Sequence, residues 1–195
     1  MGGVNPPKRL AASTAAWLAR AVSEAASIRP ARRGDMPAIL EIYNAAVQEP
    51  ASAYEDVPHT LKQREDWFAH FQQRNFPILV AEGEGAVTGW GSLGPHQERA
   101  GFRFTGSAAL YVAAAHRRRG IGGQLLEALL EAGRERGLHV VLAAIDSGNE
   151  ASLQLHARHG FTEGGVFQEA GCKFGEWRDV VYLLRRLDGR ASPGP

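Results

Sequence analysis

The chain has 195 residues, 44% of them hydrophobic and 22% charged, enough for one sizeable core and too few for two comfortable domains. Its 22 basic and 21 acidic residues leave a net charge of +1, a balance that calls for neither a nucleic-acid nor a membrane partner. One cysteine, Cys172, excludes an internal disulfide and fits a reducing, cytoplasmic setting, and the seven histidines show no metal-ligand spacing, so no metal is expected.

Residues 1–27 are alanine-rich, with Lys8, Arg9 and Arg20 and no acidic residue before Glu24; they read as an N-terminal extension, a tail or peripheral helix. No run approaches the roughly 18 apolar residues of a membrane span. Ser27 to Pro30 is predicted as a strand, and Gly34-Asp35 as the start of a helix in which Met36, Ile39, Leu40 and Tyr43 keep helical spacing. Thr60 is an N-cap candidate for a second helix to about Arg74, with Trp67, Phe68 and Phe71 on its apolar side. Pro77 to Glu82 and Ala86 to Leu93 flank a glycine turn and predict a hairpin. A strand over Ser107 to Val112 follows, then a long helix from Gln124 to about Arg136. The strand Val140 to Ile145, a helix from Glu150 to His159 and a last strand from Asp179 to Leu184 complete the pattern. This order predicts an α/β domain over residues 28–187, a mixed, mostly antiparallel central sheet flanked by helices. Residues 188–195, rich in glycine, proline and serine, are expected to be a disordered tail.

The most informative stretch is Tyr111 to Gly123, where an apolar strand enters a basic, glycine-rich turn and then the long helix. Leu125, Leu126, Leu129 and Leu130 place one helix face on the core, so the N-terminus points at the glycines. Amides without intrahelical partners and the helix dipole stabilise an anion such as a diphosphate there. Arg117, Arg118 and Arg119 add planar donors. A dinucleotide fingerprint would need glycine where Leu125 stands, and Gly-x-x-x-x-Gly-Lys-Ser/Thr does not occur.

The remaining pattern, Arg-x-x-Gly-x-Gly at Arg117, Gly120 and Gly122, resembles the acyl-coenzyme-A site of the GCN5-related N-acetyltransferases (GNAT). Ala51 to Asp56, the Trp67-Phe68 pair, Phe102 to Thr105, Leu110 to Val112 and Gly171 to Val180 further resemble the phosphinothricin and methionine sulfoximine N-acetyltransferase group. The resemblance implies the GNAT fold, acetyl-CoA as acetyl donor, and transfer to the amino group of a small amino-acid-like substrate by direct attack in a ternary complex. It also implies a homodimer. Cofactor contacts fall on Leu110, Tyr111, Val112, Arg117, Arg118, Arg119, Gly120, Ile121, Gly122, Gly123 and Asn149, the last doubling as a helix N-cap candidate.

Acetyl transfer to an amine requires a neutral amine, a polarised thioester carbonyl and a proton for the departing thiolate. By resemblance, His156 supplies that proton, as an imidazole near its ordinary pKa of about 6.5 can. Tyr54, Glu55, Phe102 and Arg103 fall on the substrate side, Arg103 or Arg99 as a clamp for a carboxylate. Ser107 stands where this group carries a glutamate that draws the proton from the substrate ammonium, and serine cannot serve as that base alone. Glu55 is one candidate to relay it. Two alternatives follow: an enzyme for another amine (a polyamine, an aminoglycoside or a protein N-terminus), or a coenzyme-A-binding sensor with little turnover.

Overall fold

The computed structural model describes residues 26–192. Seven strands, β1 (Ser27–Pro30), β2 (Ile78–Gly83), β3 (Ala86–Pro95), β4 (Thr105–Val112), β5 (Val140–Asp146), β6 (Thr162–Lys173) and β7 (Glu176–Arg186), form one sheet in the order β1-β2-β3-β4-β5-β7-β6. Only β4 and β5 run parallel. Among the described residues four α-helices flank the sheet, α1 (Met36–Val47), α2 (Leu61–Gln73), α3 (Ile121–Glu135) and α4 (Glu150–Arg158).

Strand alternation sends successive residues of β3 to opposite faces, with Trp90 on one and Leu93 on the other. On the Leu93 face, Leu126, Leu129 and Leu130 of α3 meet Val141, Ala143 and Ile145 of β5, with Leu153 and Leu155 of α4 packed alongside. On the Trp90 face, Met36, Ile39 and Tyr43 of α1 share a core with Trp67, Phe68 and Phe71 of α2. Each fully buried leucine contributes on the order of 1.5–3 kcal/mol. Thr60 caps α2 as its sequence predicts: Oγ1 accepts from the Gln63 amide at 3.3 Å, and the Gln63 side chain accepts from the Thr60 amide at 2.8 Å.

The strand β6 was not legible in the sequence. Its side chains are almost all exposed, two register shifts interrupt its pairing with β7, and Glu169 adopts φ 53°, so the period-2 signal of a half-buried strand is absent. Its partner β7 consequently runs further at both ends than the apolar stretch indicates. Residues 188–190 make contacts with the folded domain. Asp188 lies 2.7 Å from the His139 ring, and Arg190 donates to the Gly137 carbonyl at 2.6 Å while stacking over Phe104. These contacts anchor the chain where composition alone reads as a loose tail. Residues 1–25 of the expected extension and residues 193–195 lie outside the described residues.

Candidate active site

The site begins with a strand pairing that stops. β4 pairs with β3 from Pro95↔Gly106 to Gly89↔Val112, but with β5 only from Thr105↔Val140 to Ser107↔Leu142. β5 continues with β7 as far as Asp146↔Val180. From Ala108 onward β4 and β5 therefore diverge, and the backbone edge of β4 that faces β5 has no strand partner. The wedge between them encloses about 90 Å³, lined by Ala108 to Tyr111 and Ala143 to Asp146, and bounded by Asn149, Ser152 and His156.

A groove of about 380 Å³ continues from the wedge to the N-terminus of α3, sharing Leu110, Tyr111, Asn149 and Ser152 with it. Every residue expected to hold the cofactor lines this groove except Arg119, which faces a separate depression with Glu82 and Glu84. Gly120 is the N-cap, at φ 82°, a left-handed conformation that glycine adopts without strain. The helical ladder starts with the amides of Gly123 and Gln124 on the Gly120 carbonyl, so the amides of Ile121 and Gly122 precede it. A Cβ on Gly122 would stand 3.2 Å from Leu155 Cδ2, which shows how closely α3 and α4 meet at the groove floor. Arg117 donates from Nε to the Val112 carbonyl at 3.1 Å and from Nη2 to Glu49 at 2.6 Å. These bonds fix the turn and leave its remaining N–H groups beside the groove. An elongated ligand with an anionic diphosphate and an amide-bearing arm fits this arrangement: helix amides and arginines at one end, an unpaired strand edge at the other.

His156 is placed as the sequence implies, but its protonation differs. Its Nδ1 donates to the Ser152 carbonyl at 2.9 Å, the ring lies edge-on to Phe161, and the side chain is buried. Burial lowers its pKa, against the raising effect of that hydrogen bond. The neutral ring thus carries its proton on Nδ1 and leaves Nε2 bare. It is an acceptor at neutral pH, and gives up a proton at Nε2 only after taking one up. Asn149 is the N-cap of α4, accepting from the Ser152 amide at 3.1 Å and donating to the Ala51 carbonyl at 2.9 Å. One further N–H and one lone pair of its amide are left for a ligand.

The α1–α2 connection roofs the wedge. Tyr54 donates to Asp146 Oδ2 at 2.9 Å; Arg178 meets the same carboxylate from Nε at 2.9 Å and from Nη2 at 2.8 Å; the Gly148 amide adds a bond at 2.8 Å. Burial pushes the Asp146 carboxyl up, yet these donors together hold it below the usual carboxylate range. Tyr54 therefore ties the roof to β5. Glu55 sits beside the Tyr43 hydroxyl and 3.7 Å from His59, and its carbonyl accepts from the buried Lys173 ammonium. Burial raises the Tyr111 hydroxyl to about 12.

The substrate-side expectations divide. Phe102 packs edge-on against His96, ring centroids 5.6 Å apart. Arg103 is exposed, donates to the Ala100 carbonyl at 3.3 Å and stacks on Phe104, outside the residues that line the wedge and the groove. Sequence reasoning missed Asp146, Arg178 as its partner, Lys173 and His96. An aspartate ending a buried strand was the available signal for the first. None marked His96, which is brought to Ser107 by the register of β3 and β4.

The layered fold, the split sheet and the helix-terminal groove together define an acyl-CoA-dependent transferase. Residues 37–161 match the acetyltransferase (GNAT) family, to which the chain belongs; it is an N-acetyltransferase that uses acetyl-CoA. It is 43% identical over 168 residues to the L-methionine sulfoximine/L-methionine sulfone acetyltransferase of Pseudomonas aeruginosa, covering 86% of this chain and 98% of the relative. It is 34% identical to the phosphinothricin N-acetyltransferase of Streptomyces viridochromogenes, over 86% and 91% of the two chains. Among solved structures, a phosphinothricin acetyltransferase from Sinorhizobium meliloti in complex with AcCoA superposes with a TM-score of 0.80 at 29% identity, covering 83% of this chain and 88% of that one.

Proposed function

We propose that the enzyme acetylates the α-amino group of a small amino-acid analogue of the methionine sulfoximine or phosphinothricin kind. The observation that carries this reading is the continuity of the groove with the wedge, which opens an amine-sized space beside an unpaired strand edge. The names of the similar proteins support the substrate class. Acetyl-CoA supplies the activated acetyl group as a thioester.

The chain's own groups divide the work. The amides at the start of α3, with Arg117 and Arg118, bind a diphosphate, and the free edge of Leu110 to Val112 with Asn149 holds an amide-bearing arm. That edge also orients a carbonyl whose oxygen gains charge. Ser107 is the first contact for the amine, Tyr54, Glu55 and Phe102 border its side chain, and His156 hands a proton taken up at Nε2 to the departing sulfur. The enzyme acts in the cytoplasm as a homodimer, with no nucleic-acid or membrane partner. The exposed Val166, Phe167 and Trp177 of the β6–β7 hairpin favour that hairpin as the subunit contact.

Thiol release with acetyl-CoA and a panel of amines tests the proposal. Turnover confined to amino-acid analogues supports it, and a preference for polyamines, aminoglycosides or peptides replaces the substrate class. Coenzyme binding with no thiol release from any amine would identify a sensor.

A further inference from the structure

We propose that His96 and Ser107 form a hydrogen-bonded relay that takes the proton from the attacking ammonium. This inference rests on the acyl-transfer reading above. Ser107 is the last residue of β4 paired with β5, at Leu142, so it stands at the apex of the wedge. Alternation along the strand puts it on the same face as Ala109, which lines the cavity two residues on. The Nδ1 of His96 lies 3.1 Å from the Ser107 Oγ. The His96 amide donates to the Thr105 carbonyl at 3.2 Å, and Phe102 covers its ring edge-on. The imidazole is half-buried, held on the serine yet within reach of water.

Among the described residues no free carboxylate lines the wedge, and Glu55 of the roof sits beside the Tyr43 hydroxyl and His59 instead. Its titratable lining side chains are Tyr111, Asp146 and His156. The Asp146 oxygens are engaged by Arg178, Tyr54 and the Gly148 amide, and Tyr111 is a neutral phenol. His156 belongs to α4 and holds its Nδ1 proton on the Ser152 carbonyl. Serine alone cannot keep a proton at neutral pH, but a serine that passes it to an imidazole can. With the ring proton of His96 on Nε2, the Ser107 hydroxyl donates to Nδ1 and turns a lone pair to the amine. One ammonium N–H bond breaks as a new O–H bond forms on Oγ, while the original O–H proton moves to Nδ1. The amine becomes neutral, the imidazole becomes imidazolium and total charge is conserved. The half-buried ring then loses its Nε2 proton to water, and exchange with solvent moves the remaining ring proton from Nδ1 back to Nε2 before the next turnover.

Two measurements on the full chain test the pair. In long-range proton–nitrogen NMR spectra, Ser107→Ala is expected to move the Nδ1 resonance of His96 and leave the His156 nitrogens in place; an unmoved His96 Nδ1 overturns the hydrogen bond and the relay with it. In steady-state assays with L-methionine sulfoximine, His96→Ala and Ser107→Ala are each expected to lower kcat about 10²-fold, with KM for acetyl-CoA unchanged and the double variant no slower than either single one. Placing Ser107→Glu in the His96→Ala background, or adding imidazole to His96→Ala, is expected to recover rate, which a merely structural defect would not allow. A folded His96→Ala or His96→Gln enzyme with kcat within about threefold of wild type overturns the relay alone, and so does loss confined to a His156 variant. A wild type that binds acetyl-CoA but releases thiol with no amine overturns the acyl-transfer reading instead, while the Nδ1 resonance still reports on the pair.

Discussion

Replacing Asp146 with Asn changes one atom of the side chain and reverses half of its hydrogen-bonding character. The carboxylate is fully buried and accepts four bonds, two from Arg178 and one each from Tyr54 and the Gly148 amide, all between 2.8 and 2.9 Å. An Asn amide keeps one accepting oxygen and sets an NH₂ group against the donors on the other side. Two bonds of about 1.5–3 kcal/mol each are lost, and water reaching Arg178, whose side chain is 21% exposed, returns part of that. A net loss of about 2–4 kcal/mol is expected, or a fall in Tm of roughly 4–16 °C for a domain of this size. Urea unfolding monitored by tryptophan fluorescence measures it directly. Tyr54→Phe, which removes one donor, is expected to cost about 1 kcal/mol, and in the double variant the two losses should not add. The sign of the pH effect follows from the lowered Asp146 carboxyl. Between its folded and unfolded values the unfolded chain binds more protons, so the contribution is present above the ordinary carboxylate range and lost as pH falls through the folded value. Asp146→Asn should flatten that acid limb. A loss below about 0.5 kcal/mol, the scale of an ordinary surface substitution, would refute the view that this carboxylate fastens the roof to the sheet.

Gly122→Val is expected to lower acetyl-CoA affinity at least about tenfold, or 1.4 kcal/mol, because its branches must displace Leu155 or enter the groove; calorimetric titration with circular dichroism separates binding from folding. Thr60→Ala removes the N-cap of α2 and should cost about 1 kcal/mol in thermal unfolding. Because burial lowers the His156 pKa, the unfolded chain takes up its proton first, so stability should fall on acidification through about pH 6.5. Urea midpoints at high and low pH should show a smaller difference for His156→Gln than for wild type.

The fold was largely legible because its elements carry strong periodicity. The leucines of α3 and the apolar run of β5 announced themselves, and Thr60 marked the start of α2. β6 was hidden because an exposed edge strand with two bulges has no alternation to detect. At the site, the glycines of the α3 corner with Arg117 and Arg118 were readable because an anion-binding helix terminus calls for such residues, whereas Arg119 faces a separate depression. His156 was readable in position but not in charge, since burial by the assembled fold lowers its pKa and a carbonyl one helical turn away selects its tautomer. The Asp146–Tyr54–Arg178 and His96–Ser107 contacts span 92, 32 and 11 residues. Such pairings arise from sheet register and loop closure, which no local window contains.

The early end of β4–β5 pairing has a consequence for how this protein can acquire new substrates. The opening is framed by rungs of a continuous hydrogen-bonded scaffold, on which the proposed donor berth is built. The roof over the wedge comes from residues 48–59, and residues 96–104 follow the end of β3; neither connection belongs to a strand or long helix. Those connections can be rewritten, lengthened or exchanged while the donor berth stays in register, and the pairing of a fixed donor with an interchangeable acceptor is thereby built into the backbone.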